Sequence, residues 1–146
     1  MKDKHLQMYM RIAEAVAETS SAKRLKVGAV AVKNNMVIGT GYNALPSGID
    51  GDCETLEHPL SWAKEGVDGL VTKPEVRHAE ANLLLNLAKS TESSTGAIIF
   101  CTHACCKFCA MDIVDAGITK VYYREEYRSN EGLEYLKANG VEVGKI

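Results

Sequence analysis

The sequence lacks the features that would mark a membrane protein or a general nucleic-acid binder. No apolar run approaches the roughly 18 residues of a membrane span. The charged start at 1–5 leads into an amphipathic stretch without the apolar core of a signal peptide. Positive charge is not in excess, because 17 Lys and Arg stand against 19 Asp and Glu, for a formal net charge of −2. We therefore expect neither a membrane nor nucleic acid as a partner.

The five cysteines are poorly spaced for disulfide bonds. Three of them, Cys105, Cys106 and Cys109, lie close together near the carboxyl-terminal third of the chain. Such crowding is typical of metal binding in a reducing compartment. We therefore expect a cytoplasmic enzyme that uses some of these thiols as metal ligands.

Repeats and low-complexity tracts are also absent, and the length fits one domain spanning 1–146. Apolar residues recur at helical spacing from Leu6 to Ala17, and two strand-like runs flank Asn34-Asn35 as a β-hairpin. The next elements are a helix at about 77–88, a strand at 97–101 and a helix at 105–116 closed by Gly117. A strand at 118–123, a helix at 131–138 stopped by Asn139-Gly140 and a strand at 141–143 complete the chain. This order predicts an α/β fold, a three-layer α/β/α sandwich with a five-stranded mixed sheet.

The segment 41–74 has no strong periodicity. It is rich in Gly, Asp and Pro and shows only a weak helical pattern at 56–65. Because long loops in compact domains are usually functional or disordered, we interpret it as an active-site loop with a short helix.

The strongest chemical signal is the pair of motifs His78-Ala79-Glu80 and Cys106-x-x-Cys109. One imidazole and two thiolates would leave a tetrahedral zinc ion one open position for water, as in catalytic sites. Glu80 is not needed as a metal ligand and is therefore available to transfer protons. Each motif alone could be a structural feature, and the joint pattern is the signature of zinc nucleobase deaminases. Cys105 or Cys101 remains an alternative ligand.

Several further motifs extend the similarity along nearly the whole chain. In chain order they are Val27-Gly28-Ala29-Val30, Gly41-Tyr42-Asn43, Pro46-Ser47-Gly48, the two zinc motifs, and Ala116-Gly117-Ile118 with Val121-Tyr122-Tyr123. With them the chain resembles the cytidine deaminase superfamily and, within it, the deoxycytidylate (dCMP) deaminases. It departs from the family at Cys105, where a proline is usual before the first cysteine.

The resemblance implies a role for each site residue. Glu80 would move protons while water replaces the 4-amino group of cytosine, with one catalytic zinc ion held by His78, Cys106 and Cys109. Asn43 would bind the sugar 3′-hydroxyl. The remaining contacts would be the Ala79 N–H and the Ala104 carbonyl to the base, and Arg24, Ser20 and Tyr123 to the 5′-phosphate. Tyr123 is equally plausible as sheet packing.

The resemblance also implies properties of the family as a whole. Its members are homo-oligomers, often hexamers, activated by dCTP and inhibited by dTTP with Mg²⁺. Ala22 stands where some relatives have a cysteine ligand of a second, structural zinc, so we expect no such site. Two alternatives stay open: a zinc deaminase for another or modified cytosine nucleotide or nucleobase, and an inactive zinc-stabilised binding subunit.

Overall fold

The computed structural model describes residues 1–56 and 69–146. The elements in this part of the chain are α1 (Asp3–Ala17), β1 (Gly28–Lys33), β2 (Met36–Tyr42), β3 (Glu54–Leu56), β4 (Leu70–Thr72), α2 (Ala79–Ala88), β5 (Ile98–His103), α3 (Lys107–Asp115), β6 (Lys120–Glu125), α4 (Glu131–Ala138) and β7 (Glu142–Lys145). None of these helices is long and apolar enough to cross a membrane.

Five strands form one mixed sheet in the order β2-β1-β5-β6-β7. Strand β1 is antiparallel to both β2 and β5, whereas β5, β6 and β7 run parallel. The predicted hairpin is present, and Asn34 and Asn35 adopt positive φ angles of 51° and 60°. Two consecutive residues of this kind match a type I′ turn, which asparagine tolerates well.

The helices cover both faces of the sheet, so the predicted three-layer α/β/α sandwich is confirmed. Strand side chains alternate between the faces. On one face, Val30, Val32 and Phe100 pack against Tyr9 and Met10 of α1. On the other face, the sheet packs against buried residues of α2, α3 and α4, which include Leu83, Leu87, Ile113, Leu133 and Leu136. Burial on both faces explains the unbroken apolar run of β1.

The structure corrects two predictions. The segment 41–74 is not wholly a loop, because Glu54–Leu56 and Leu70–Thr72 pair as a small antiparallel sheet. Three-residue strands are too short to produce a visible alternation, and the weak helical pattern at 56–65 lies, beyond Leu56, outside the described residues. The helix predicted at 105–116 begins only at Lys107, because Cys106 is its N-cap. Cys105 therefore precedes the helix.

Both predicted helix ends next to a glycine are confirmed. Gly117 has a φ of 75°, and the Ile118 and Gly117 amides bond back to Ile113 and Val114 at 3.3 and 3.1 Å. Gly140, with a φ of 80°, ends α4 in the same way. These are Schellman endings, in which glycine avoids the strain of a left-handed backbone.

Gly41 of β2 allows the backbone of α2 to pack closely against the strand. A β carbon at Gly41 would overlap the Ala79 carbonyl oxygen and the Leu83 amide nitrogen and lie 2.8 Å from the Leu83 α carbon. One at Gly39 would meet only side-chain atoms of Leu83 and Leu87. We expect Gly41→Ala to lower the free energy of unfolding by roughly 1–3 kcal/mol, as overpacking does, and Gly39→Ala to lower it less. Urea denaturation measures both, and equal losses would contradict the prediction.

Candidate active site

Two helices begin at the same place, and each contributes metal-ligating side chains there. His78 is the N-cap of α2, Cys106 is the N-cap of α3, and Cys109 lies in the first turn of α3. The approach to α2 is fixed by an isolated bridge, in which the Ala44 and Arg77 amides each donate to the other's carbonyl at 3.1 and 2.8 Å. His78 thus follows directly on a backbone position tied to the chain just beyond β2.

The three side chains are spaced as zinc ligands are. His78 Nδ1 lies 3.4 Å from Cys106 Sγ and 3.4 Å from Cys109 Sγ. Zinc bonds of about 2.0 Å to nitrogen and 2.3 Å to sulfur give a tetrahedral N···S edge of about 3.5 Å. All three ligand atoms lie within 4.8 Å of one another. The donor set and its spacing therefore fit a tetrahedral zinc ion with one position left for water.

The two alternative thiols lie outside this cluster. Cys105 is 1% exposed and belongs to the hydrophobic core beside α4. Cys101 is equally buried, and its thiol donates to Glu80 Oε1 at 3.5 Å. In the described part of the chain, the compact His/Cys cluster is His78, Cys106 and Cys109.

The cluster favours a thiolate at Cys106. Hydrogen bonding from the Cys109 thiol, from His78 and from the Cys109 backbone N–H lowers the pKa of Cys106, against the opposing effect of burial. The hydrogen bond to Cys106 also raises the pKa of His78, while burial and the charge of Arg128 act in the opposite direction. Since metal ligands must be deprotonated, metal binding here would release the protons that these groups share.

Glu80 is a buried carboxyl group beside the cluster. It is the second residue of α2 and is only 4% exposed. Burial raises its pKa, while its own backbone N–H and the nearby His78 lower it. The pKa of Cys101 is raised well above its usual value, mainly by burial, so its sulfur stays protonated and keeps donating to Glu80. A carboxyl group with a raised pKa suits proton transfer near neutral pH. Sequence patterns gave no signal for this Cys101 contact.

The Asn43 side chain forms two hydrogen bonds with the segment that joins α1 to β1. Its Oδ1 accepts from the Val27 amide at 2.8 Å, and its Nδ2 donates to the Leu25 carbonyl at 2.7 Å. The buried Ser20 hydroxyl donates to the Asn43 carbonyl at 2.7 Å and accepts from the Ala22 amide. Among the described residues, one N–H and one lone pair of the Asn43 amide have no partner and could serve a ligand, whereas the Ser20 hydroxyl hydrogen is already in use.

Arg24 lies on the same segment, held by a residue that sequence patterns did not indicate. Glu54 is 6% exposed, and its Oε1 accepts from the backbone amides of Lys23 and Arg24 at 2.8 and 3.0 Å. The exposed Arg24 side chain donates to Thr72 Oγ1 at 3.3 Å. Within residues 1–56 and 69–146, the Thr72 contact is the one side-chain hydrogen bond of this exposed guanidinium, which leaves further donors for an anion. Glu54 lies in a segment without periodicity, so its long-range contact had no sequence signature.

The three remaining predicted contacts differ in their surroundings. Ala79 is the first residue of α2, where a helix provides no internal acceptor for the N–H. Ala104 follows β5, and its own N–H is taken by the Glu125 carbonyl at 2.8 Å. Tyr123 packs in the core, and its hydroxyl donates to Glu126 at 3.4 Å. A carboxylate in that position opposes phosphate binding, so the structure favours the packing role of Tyr123.

The comparisons with known proteins point to one family. Residues 3–125 match the cytidine and deoxycytidylate deaminase zinc-binding region. A deoxycytidylate deaminase of Mycobacterium phage D29 is 40% identical over 123 residues, which cover 82% of this chain and 94% of that protein. The deoxycytidylate deaminase of Enterobacteria phage T4 is 32% identical in an alignment that covers 94% of this chain and 87% of the phage protein.

A solved structure is similar over the full length. The dCMP deaminase from the cyanophage S-TIM5, crystallised in complex with dCMP and dUMP, has a TM-score of 0.87 and 43% identity. The match covers 100% of this chain and 99% of that chain. Fold and cluster together define the class of zinc-binding deaminases. The chain belongs to the cytidine and deoxycytidylate deaminase family, as its sequence motifs predicted.

The geometry of the cysteines predicts which thiols are needed for zinc. We expect Cys106→Ala to lose most of its bound zinc, because one of the three clustered ligand atoms is removed. Cys105→Ala should keep a full equivalent, since it removes only a small buried group from the core. Metal analysis of the purified variants measures both. Zinc loss in Cys105→Ala with retention in Cys106→Ala would reverse the assignment.

Proposed function

We propose that the protein catalyses the zinc-dependent hydrolytic deamination of dCMP to dUMP and ammonia, a step that supplies dTMP synthesis. The observation that carries the proposal is the buried Glu80 beside the His78, Cys106 and Cys109 cluster, at the start of two converging helices. A purely structural zinc site has no need of such a carboxyl group. The named activity of the D29 phage relative and the substrate in the cyanophage structure support the choice of dCMP.

Glu80 carries the proton transfers of the proposed reaction. A zinc ion at the cluster supplies a nucleophilic oxygen at neutral pH by lowering the pKa of water. The Glu80 carboxylate takes a proton from the attacking water and delivers it to N3 of cytosine. Glu80 then carries the second proton of that water to the 4-amino nitrogen, and the bond between this nitrogen and C4 breaks. One water is consumed and one ammonia is released, so the atoms balance.

Backbone and side-chain groups around the cluster orient the nucleotide in this proposal. The Ala79 N–H, free of an acceptor within the helix, donates to the base carbonyl, and the Ala104 carbonyl accepts from the 4-amino group. Asn43 uses its remaining N–H or lone pair for the sugar 3′-hydroxyl. Arg24 is the preferred phosphate contact because its guanidinium is exposed. Ser20 and Tyr123 are weaker candidates, since both hydroxyls already donate within the protein.

The proposal extends to assembly and regulation only through the family resemblance. It includes a homo-oligomer, with a hexamer favoured, activation by dCTP, and inhibition by dTTP with Mg²⁺. A cytoplasmic location is supported by the five cysteines, all of which are free thiols, since thiols persist in a reducing compartment.

Replacing Glu80 tests the mechanism. We expect Glu80→Ala to lower kcat for ammonia release from dCMP at least about 100-fold, because general acid–base catalysis contributes roughly 10²–10⁴-fold. The variant should keep its zinc, because Glu80 is not one of the clustered ligands. The exposed Glu92→Ala is the matched control and should behave as the wild type. Full activity in Glu80→Ala would contradict the mechanism.

Comparing dCMP with deoxycytidine tests the substrate. A charge-assisted hydrogen bond of about 1.5–3 kcal/mol from Arg24 corresponds to a preference of roughly 10- to 100-fold in kcat/KM. We expect that preference for dCMP in the wild type, and its loss in Arg24→Ala. Equal rates for both compounds would contradict phosphate recognition. Adding dCTP to the same assay tests activation, and no stimulation would remove that part of the proposal.

The same assay separates the two alternatives. A zinc-loaded protein that releases ammonia from a modified cytosine nucleotide or another base, and not from dCMP, would be a deaminase of different specificity. A zinc-loaded protein without turnover on a panel of cytosine and purine compounds would be a binding subunit.

A further inference from the structure

Helix α4 packs directly on the backbone that carries a metal ligand. Gly132, in the first turn of α4, faces the peptide between Cys105 and Cys106. A β carbon at Gly132 would overlap the Cys105 carbonyl oxygen and lie 2.9 Å from both the carbonyl carbon and the carbonyl oxygen of Cys106. These are backbone atoms, so they cannot rotate away as a flexible side chain can.

The contacted backbone determines where the Cys106 thiol points. The Cys106 carbonyl accepts the first hydrogen bond of α3, from the Ala110 amide at 2.9 Å. The Cys106 sulfur accepts from the Cys109 amide at 3.4 Å and lies 3.4 Å from His78 Nδ1. A displacement of the peptide before Cys106 would therefore shift the thiol and loosen the first turn of α3 together.

The core prevents α4 from simply moving aside. Leu133 and Leu136 are 5% and 0% exposed and belong to the cluster that also contains Cys105, Cys109 and Ile113. These side chains fix the distance between α4 and α3, and only a residue without a side chain fits between α4 and Cys105.

We propose that Gly132 is a positioning residue of the metal centre, which lets α4 hold the Cys106 thiol at ligand distance from His78 and Cys109. The inference rests on zinc binding in the proposed function and is independent of the substrate. Neighbours that orient metal ligands typically change metal affinity 10- to 100-fold when they are altered. We expect an effect of about this size at Gly132.

The test compares Gly132→Ala with Gly28→Ala. A β carbon at Gly28 would also overlap helix backbone, at Ala13 and Ala17 of α1, but on the opposite face of the sheet. Zinc-loaded proteins are mixed with a chromogenic chelator, and the rate at which zinc passes from the protein to the chelator is measured. The measurement is made under conditions in which circular dichroism shows that each variant is folded. We expect both variants to be less stable, and only Gly132→Ala to release zinc about 10- to 100-fold faster than the wild type.

Several outcomes would overturn the inference. Wild-type release rates in Gly132→Ala, or equal acceleration in both variants, would mean that Gly132 affects only general stability. A wild-type protein that binds no zinc would overturn both this inference and the proposed zinc chemistry. A wild-type protein that binds zinc, with unchanged release in Gly132→Ala, would overturn this inference alone.

A second pair of variants covers the case in which Gly132→Ala does not fold. Leu133→Ala loosens α4 without inserting an atom next to Cys105, and Met10→Ala removes a comparable buried side chain from α1. Faster zinc release in Leu133→Ala alone supports the positioning role of α4, and equal release in the two variants opposes it.

Discussion

The site depends on the close convergence of two helix starts, since neither helix holds a complete set of ligands. α2 brings His78 and Glu80, and α3 brings Cys106 and Cys109. A helix beginning has unsatisfied backbone N–H groups and the positive end of the helix dipole, and both favour thiolates and anions there. The arrangement therefore supplies charge stabilisation through the backbone before any ligand binds.

Small residues make this convergence possible. Gly41 lets the first turns of α2 lie against the end of β2, and Gly132 lets α4 lie against the peptide before Cys106. The bridge between Ala44 and Arg77 fixes the chain that enters α2. Two of these three contacts place a glycine against backbone atoms, and the third is a backbone hydrogen-bonded bridge. The positions of His78 and Cys106 are therefore set by neighbours whose own side chains take no part in the chemistry.

Sequence patterns correctly predicted those features of the fold that are determined by residues close together in the chain. The Asn34-Asn35 hairpin, the glycine helix ends and the bounds of α4 follow from turn chemistry and periodicity, and the spacing of His78, Glu80, Cys106 and Cys109 indicated the metal cluster. The contacts of Glu54 with Lys23 and Arg24, and of Cys101 with Glu80, join residues 21 to 31 positions apart. No local pattern encodes such contacts. The Ser20 hydroxyl likewise bonds to the Asn43 carbonyl, 23 positions away, whereas the Tyr123 hydroxyl bonds to the nearby Glu126.

The separation of the ligands along the chain has a consequence for folding. His78 and Cys106 are 28 residues apart, and the chain between them contains all of α2 and β5. An ion bound by both closes that loop, and because the ligand atoms come together only in the folded chain, its binding stabilises the folded state by mass action. A bound metal ion thus links α2 to α3. Its removal by a chelator would weaken the packing of these two helices and also remove the reactive centre.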